Sequence, residues 1–241
     1  KTKSKKINFK KIAKLIHNSK KPIIMTGYGI HSSNSKKEFK KLFNKLKVPF
    51  ISSWNSSDLF KSNSNKYIGR LGIFGDRASN YIQKQCDFLL VLGSRMSIPQ
   101  IGYHFDLFAP NAKKIIVDIS NKELNKISLN KYIKINCDLK FFISNLQKYI
   151  KKEENHEQIK WLKECTKLKL KYPVIKDSMN NIKNSKLINS FQFIDILSKK
   201  LMNNEIVVTD MGTSFTCTMQ ALQTKTNQRL FTSSGLAAMG F

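Results

Sequence analysis

Two rhythms of apolar positions run through the first 150 residues. Ile12, Leu15 and Ile16 recur at helical spacing, as do Phe39, Leu42, Phe43 and Leu46, and each set marks one face of an amphipathic helix. Between such stretches stand short apolar runs without alternation. They are Pro22 to Thr26, Val48 to Ser52, Phe88 to Leu92 and Ile115 to Val117, with a weaker run from Tyr132 to Ile135. Strands apolar on both sides are strands buried on both faces, as in parallel sheets. Capping residues precede the helical stretches. Ser35 with Glu38 and Ser120 with Glu123 have capping-box spacing. Asp76 stands before a helix through Ala78, Tyr81 and Ile82, and Asp138 before one through Phe142, Leu146 and Ile150. The pattern predicts an α/β fold, a Rossmann-like parallel sheet covered on both faces, over residues 1–150.

The rhythm fails from 151 to 185, where polar runs and Pro173 intervene. This stretch reads as a linker packed on the surface, with a helix around Trp161, Leu162 and Leu168. A second α/β unit occupies 186–241. Leu187, Phe191, Ile194, Leu197 and Leu201 form one helix face, Ile206 to Thr209 a strand, and Phe215, Met219 and Leu222 a second helix face. The unit is expected to be truncated before its sheet closes.

Charge changes this picture little. The chain has 241 residues and a formal charge of +27 from 43 basic and 16 acidic side chains. Only Arg70, Arg77, Arg95 and Arg229 are arginines, and the lysines are spread among Asn and Ile. Nucleic-acid recognition favours clustered guanidinium groups, so no nucleic-acid partner is expected. No apolar run approaches the roughly 20 residues of a membrane span, so no membrane partner is expected either. Cys86, Cys137, Cys165 and Cys217 are isolated and form no C-x-x-C pair, which points to a reducing, cytoplasmic setting. His17, His31, His104 and His156 lack metal-ligand spacing.

Five segments can carry chemistry. Gly27-Tyr28-Gly29 follows a strand and precedes a helix; its glycines admit either a phosphate or a tight turn, and Ser32 stands where a dinucleotide fingerprint needs a third glycine. Gly93-Ser94-Arg95 also follows a strand, and Arg95 suits either a phosphate or a surface carboxylate. Asp118 ends a strand where it can accept from ribose hydroxyls or cap a helix. Asp210-Met211-Gly212-Thr213-Ser214 leads from a strand into a helix N-terminus, which fits a diphosphate or ordinary capping. Ser233 to Gly240 sets Met239 among small residues around Gly235 and Ala237, so backbone and ligand can approach closely.

Together these segments resemble the acetolactate synthase group of thiamine-diphosphate enzymes. Residues 8–150 resemble its central domain through Lys21-Pro22-Ile23-Ile24, Gly27-Tyr28-Gly29, Val48-Pro49, Cys86 to Arg95, and Phe108 to Lys113 leading to Val117-Asp118-Ile119. That implies a central sheet of the DHS-like NAD/FAD-binding type. Residues 187–241 resemble the start of the diphosphate-binding domain through Val208 to Gly212 and Thr232 to Phe241. The resemblance implies thiamine diphosphate with Mg2+, a 2-oxo acid substrate, carboligase or decarboxylase chemistry, and a homodimer or homotetramer. It places Gly212, Thr213 and Ser214 near the diphosphate and Gly235 in the loop that meets the cofactor. The carbonyl of Ala237 falls on the aminopyrimidine, and Met239 braces the bent cofactor.

Gly27, Gly29, Gly93, Arg95 and Asp118 remain as positions for a nucleotide or FAD. The group's flavin stretch is replaced by Met96-Ser97-Ile98-Pro99-Gln100, which speaks against FAD. The family's metal motif and activating glutamate are not found in the chain, so by itself it is expected to be inactive, with no catalytic residue and no metal ligand of its own. The second reading is a stand-alone nucleotide-binding domain of the same central fold.

Overall fold

Both apolar rhythms become structure in the computed structural model, which describes residues 7–126, 129, 132–151, 154–175, 187–233 and 236–240. The chain runs α1 (Phe9–Asn18), β1 (Pro22–Thr26), α2 (Gly29–Ser32), α3 (Lys36–Lys45), β2 (Phe50–Ser52), a 3-10 turn (Trp54–Leu59), and β3 (Tyr67–Arg70). It continues through α4 (Arg77–Gln85), β4 (Phe88–Leu92), α5 (Ile98–Ile101), β5 (Lys113–Asp118), α6 (Asn121–Asn125), β6 (Tyr132–Asn136) and α7 (Leu139–Tyr149). Then follow α8 (His156–Lys171), α9 (Ser190–Lys200), β7 (Ile206–Thr209), α10 (Thr213–Ala221) and β8 (Arg229–Thr232).

Six strands form one sheet in the order β3-β2-β1-β4-β5-β6, every neighbouring pair parallel. The order reverses between β1 and β4, the doubly wound arrangement whose ligands bind beyond the carboxyl ends of the strands. Alternate residues of the same strands feed two cores. Ile24 and Leu90 pack with Ile12, Ile16, Phe39, Leu42, Phe142 and Leu146 from α1, α3 and α7. Ile23, Met25, Leu89 and Val91 pack on the other face with Ala78, Ile82, Trp161 and Cys165 from α4 and α8.

The surface linker expected over 151–185 is corrected here, because α8 buries Trp161 and Cys165 in that second core. The Trp161 indole Nε1–H donates to the Pro22 carbonyl at 3.2 Å. The Gln158 amide caps the end of α1, donating to the carbonyls of Ile16 and Ser19 at 2.7 and 2.9 Å.

Two expected caps are absent. The Ser35 hydroxyl donates to Ile30 O at 3.2 Å and makes no cap bond. Asp76 instead accepts from the Arg70 amide at 2.6 Å. Ser120 does cap α6, accepting from the Glu123 amide, and Asp138 caps α7 through the Phe141 amide.

The second, smaller sheet pairs β7 and β8 in parallel, Ile206 opposite Arg229 and Thr209 opposite Thr232. Its core of Ile194, Phe215, Met219, Leu222 and Leu230 also takes in Trp54 and Phe74 from the first unit. Phe215 meets both rings edge-on, at 5.3 and 5.5 Å between centroids. The outer face of β7 is bare, with Ile206 65% and Val208 55% exposed.

Candidate functional site

Two loops leave the carboxyl ends of the parallel pair β7–β8 side by side. The first, Asp210 to Gly212, turns into α10. The second, from Ser233, contains the small-residue run, of which Ser234 and Gly235 lie outside the described residues. Asp210 joins them: its Oδ1 accepts from the Met211 amide at 2.7 Å and its Oδ2 from the Gly240 amide at 2.9 Å.

The glycine at 212 is a conformational requirement. Its φ of +72° lies in the left-handed region, while a Cβ there would meet nothing within 4 Å. Thr213 and Ser214 open α10 and are exposed. The first amides of a helix have no intrahelical acceptor and carry its positive end. The Ser214 hydroxyl donates to Met211 O at 2.8 Å, which leaves Thr213 as the better placed hydroxyl donor.

In the second loop Ala237 sits at φ +53°, a strained conformation for a residue with a Cβ. It is held there because its amide donates to Ser233 O at 2.9 Å, while the Ser233 hydroxyl donates to Ala238 O at 3.1 Å. Met239 is 84% exposed among the described residues.

The five central-sheet positions are placed differently. Gly27 and Gly93 form a backbone-on-backbone contact: a Cβ on Gly27 would lie 2.1 Å from Gly93 O. Gly29 and Gly93 close on each other and on Leu139. The Gly27 amide donates to Leu92 O at 2.9 Å and the Gly29 amide to Gly93 O at 3.0 Å, so these amides are engaged within the protein. The Arg95 side chain is 77% exposed and pairs with Glu123 at 3.2 Å, which also meets Lys126.

Asp118 accepts from the Ser120 amide at 2.8 Å, and burial pushes its carboxyl up from the usual range. The recess between it, Ser94, Met96 and Tyr132 holds only ≈ 10 Å³, room for about one water.

One charged cluster had no sequence signal. Asp58, in the 3-10 turn, is buried between the two units. His31 Nε2 lies 2.7 Å from Asp58 Oδ1, and Oδ2 accepts from Arg229 Nε at 2.8 Å and the Leu230 amide at 3.2 Å. Burial alone would raise the Asp58 carboxyl. The His31 bond and charge, then the Arg229 bond and the Leu230 amide, outweigh it and hold the carboxyl below its ordinary value. The partners lie far apart in sequence, so no local motif could have shown them. Among the described residues no group of three or more His, Cys, Asp or Glu side chains is arranged to hold a metal ion.

A sequence model of the thiamine pyrophosphate enzyme central domain matches residues 9–146, more than half of the chain and the whole six-stranded sheet. The chain belongs to the thiamine pyrophosphate enzyme family. This thiamine pyrophosphate enzyme chain is 29% identical to the probable acetolactate synthase large subunit of Methanocaldococcus jannaschii, over 98% of its own length and 40% of the relative's. It is 30% identical to the acetolactate synthase large subunit of Buchnera aphidicola, over 100% of the chain and 41% of the relative. It is 28% identical to the isozyme 1 large subunit of Escherichia coli, over 95% and 39%. The thiamine pyrophosphate enzyme chain therefore spans about two-fifths of the length of the curated relatives it matches. The family match sets aside the stand-alone nucleotide-binding domain. Among the described residues no helix is long and apolar enough to cross a membrane.

Proposed function

We propose that the loops after β7 and β8 hold the diphosphate side of thiamine diphosphate in an acetolactate synthase-like carboligase or decarboxylase acting on a 2-oxo acid. The Asp210–Gly240 contact carries this reading, because it makes one site of two segments about thirty residues apart. In it the amides of Thr213 and Ser214 and the Thr213 hydroxyl bind the diphosphate, with Gly212 shaping the entry to the helix. The Ala237 carbonyl accepts from the aminopyrimidine, and Met239 rests against the bent cofactor.

Bound thiamine diphosphate supplies an electron sink for breaking and forming bonds beside a carbonyl. The chain's own part is orientation and electrostatics. Mg2+ accompanies the diphosphate in this reading, with ligands other than the described residues. The assembly is a cytoplasmic homodimer or homotetramer, and the 241-residue chain alone is inactive. A flavin is not part of the proposal: the Gly27 and Gly29 amides have acceptors within the protein, and the recess at Asp118 is water-sized.

Calorimetric titration of the full-length protein with thiamine diphosphate and Mg2+ tests the reading. Thr213→Val removes one hydrogen bond to a charged group, and affinity should fall on the order of tenfold to a hundredfold. Equal binding by wild type and variant would remove Thr213 from the site, and no binding by wild type would overturn the reading.

A further inference from the structure

The cofactor end of α10 is only as well placed as its other end, and that end is gripped by a side chain of the central sheet. Arg70, the last residue of β3, is buried. Its Nη1 donates to Gln220 O at 3.2 Å and its Nη2 to Leu222 O at 2.6 Å. These carbonyls belong to the last turn and C-cap of α10. Such carbonyls lack intrahelical donors and carry the helix's negative end, so a guanidinium there satisfies them in both geometry and charge. Just beyond, the Thr224 amide donates to Ser62 Oγ at 2.8 Å and the Thr224 hydroxyl to Phe60 O at 2.9 Å.

We infer that Arg70 is a positioning residue for the diphosphate end of α10. The inference rests on the proposed function of that end. Nine residues of helix are about 13 Å long. If the grip at Gln220 and Leu222 relaxes and the helix tilts by roughly 10°, the amides of Thr213 and Ser214 move by about 2 Å. A shift of that size takes an amide out of hydrogen-bond range of a charged oxygen, which costs on the order of tenfold to a hundredfold in affinity. The central domain thereby sets the aim of a helix whose other end meets the cofactor. A lysine at position 70 would keep the charge but lose the planar fork that reaches two carbonyls at once.

The test compares full-length wild type, Arg70→Met, Arg70→Lys and, as a control, Trp161→Phe, which lies in the other core and weakens packing away from α10. Thiamine diphosphate affinity is measured by calorimetry on folded protein. Amide exchange of α10 is followed without cofactor. Arg70→Met should weaken affinity about tenfold to a hundredfold and speed exchange in α10, Arg70→Lys should recover part of both, and Trp161→Phe should change neither. Arg70→Met binding within about twofold of wild type overturns the inference, as does an equal loss in the Trp161→Phe control. If Arg70→Met does not fold, Arg70→Lys decides by the same criteria. Wild type that fails to bind removes the underlying reading as well. Wild type that binds, with Thr213→Val weakened and the Arg70 variants unchanged, removes this inference alone.

Discussion

Arg229 Nε donates to Asp58 Oδ2 at 2.8 Å, so a strand of the small sheet is fastened to a turn of the large one by a carboxylate that also holds His31. Asp58→Asn removes the charge and leaves the Arg229 guanidinium with a weaker partner. Breaking a buried pair by removing one member costs about 3–5 kcal/mol, and the lower end applies here because Arg229 is partly exposed.

The pH dependence of that contact has a definite sign. The folded-state pKa of Asp58 is depressed, so its stabilisation is fully present above the unfolded value of about 3.9 and is lost as pH falls through the folded one. Urea unfolding should therefore show wild type more stable than Asp58→Asn at neutral pH, with the carboxylate's own contribution lost only as pH falls below about 4. Convergence near neutral pH would count against the ionised-carboxylate assignment.

Trp161→Ala tests whether α8 belongs to the core. It empties a large buried volume and breaks the bond to Pro22 O, so a loss of about 3–5 kcal/mol is expected. A helix lying loosely on the surface would lose within about 0.5 kcal/mol, and denaturant midpoints separate the two.

Gly27→Ala places a methyl 2.1 Å from Gly93 O and 2.4 Å from Ser94 Cα. Backbone must move, so destabilisation of about 3 kcal/mol or more is expected. Intact stability with a lost nucleotide affinity would restore the reading of these glycines as a phosphate approach.

Met239→Ala separates bracing from packing more cleanly than a buried methionine would. In the 241-residue chain Met239 is exposed, so there the substitution opens no cavity and stability should change by less than about 0.5 kcal/mol. The full-length catalytic rate should nevertheless drop on the order of tenfold to a thousandfold if the side chain supports the cofactor. An unchanged rate in folded protein rejects that role.

The central strands were legible because burial on both faces writes them as continuous apolar runs, as in Phe88 to Leu92. The edge strand β3 was not: Tyr67-Ile68-Gly69-Arg70 is short and carries a glycine at φ +145°. The small strand β8 was missed for a like reason, since Arg229-Leu230-Phe231-Thr232 buries only Leu230. Asp210 was visible as a strand-end carboxylate, but its grip on Gly240 belongs to the folded chain. The same holds for Asp58 with His31 and Arg229, and for Arg70 with α10, where acceptor and donor lie on elements that meet only after the sheets have formed.

The bare face of β7 has a practical consequence for anyone handling the 241-residue chain. Ile206 and Val208 put two large exposed apolar side chains on one face of β7, and exposed apolar surface of this kind promotes association. Solutions of the isolated chain should turn cloudy as they are concentrated, and they should clear when β7 is given a lysine at Val208.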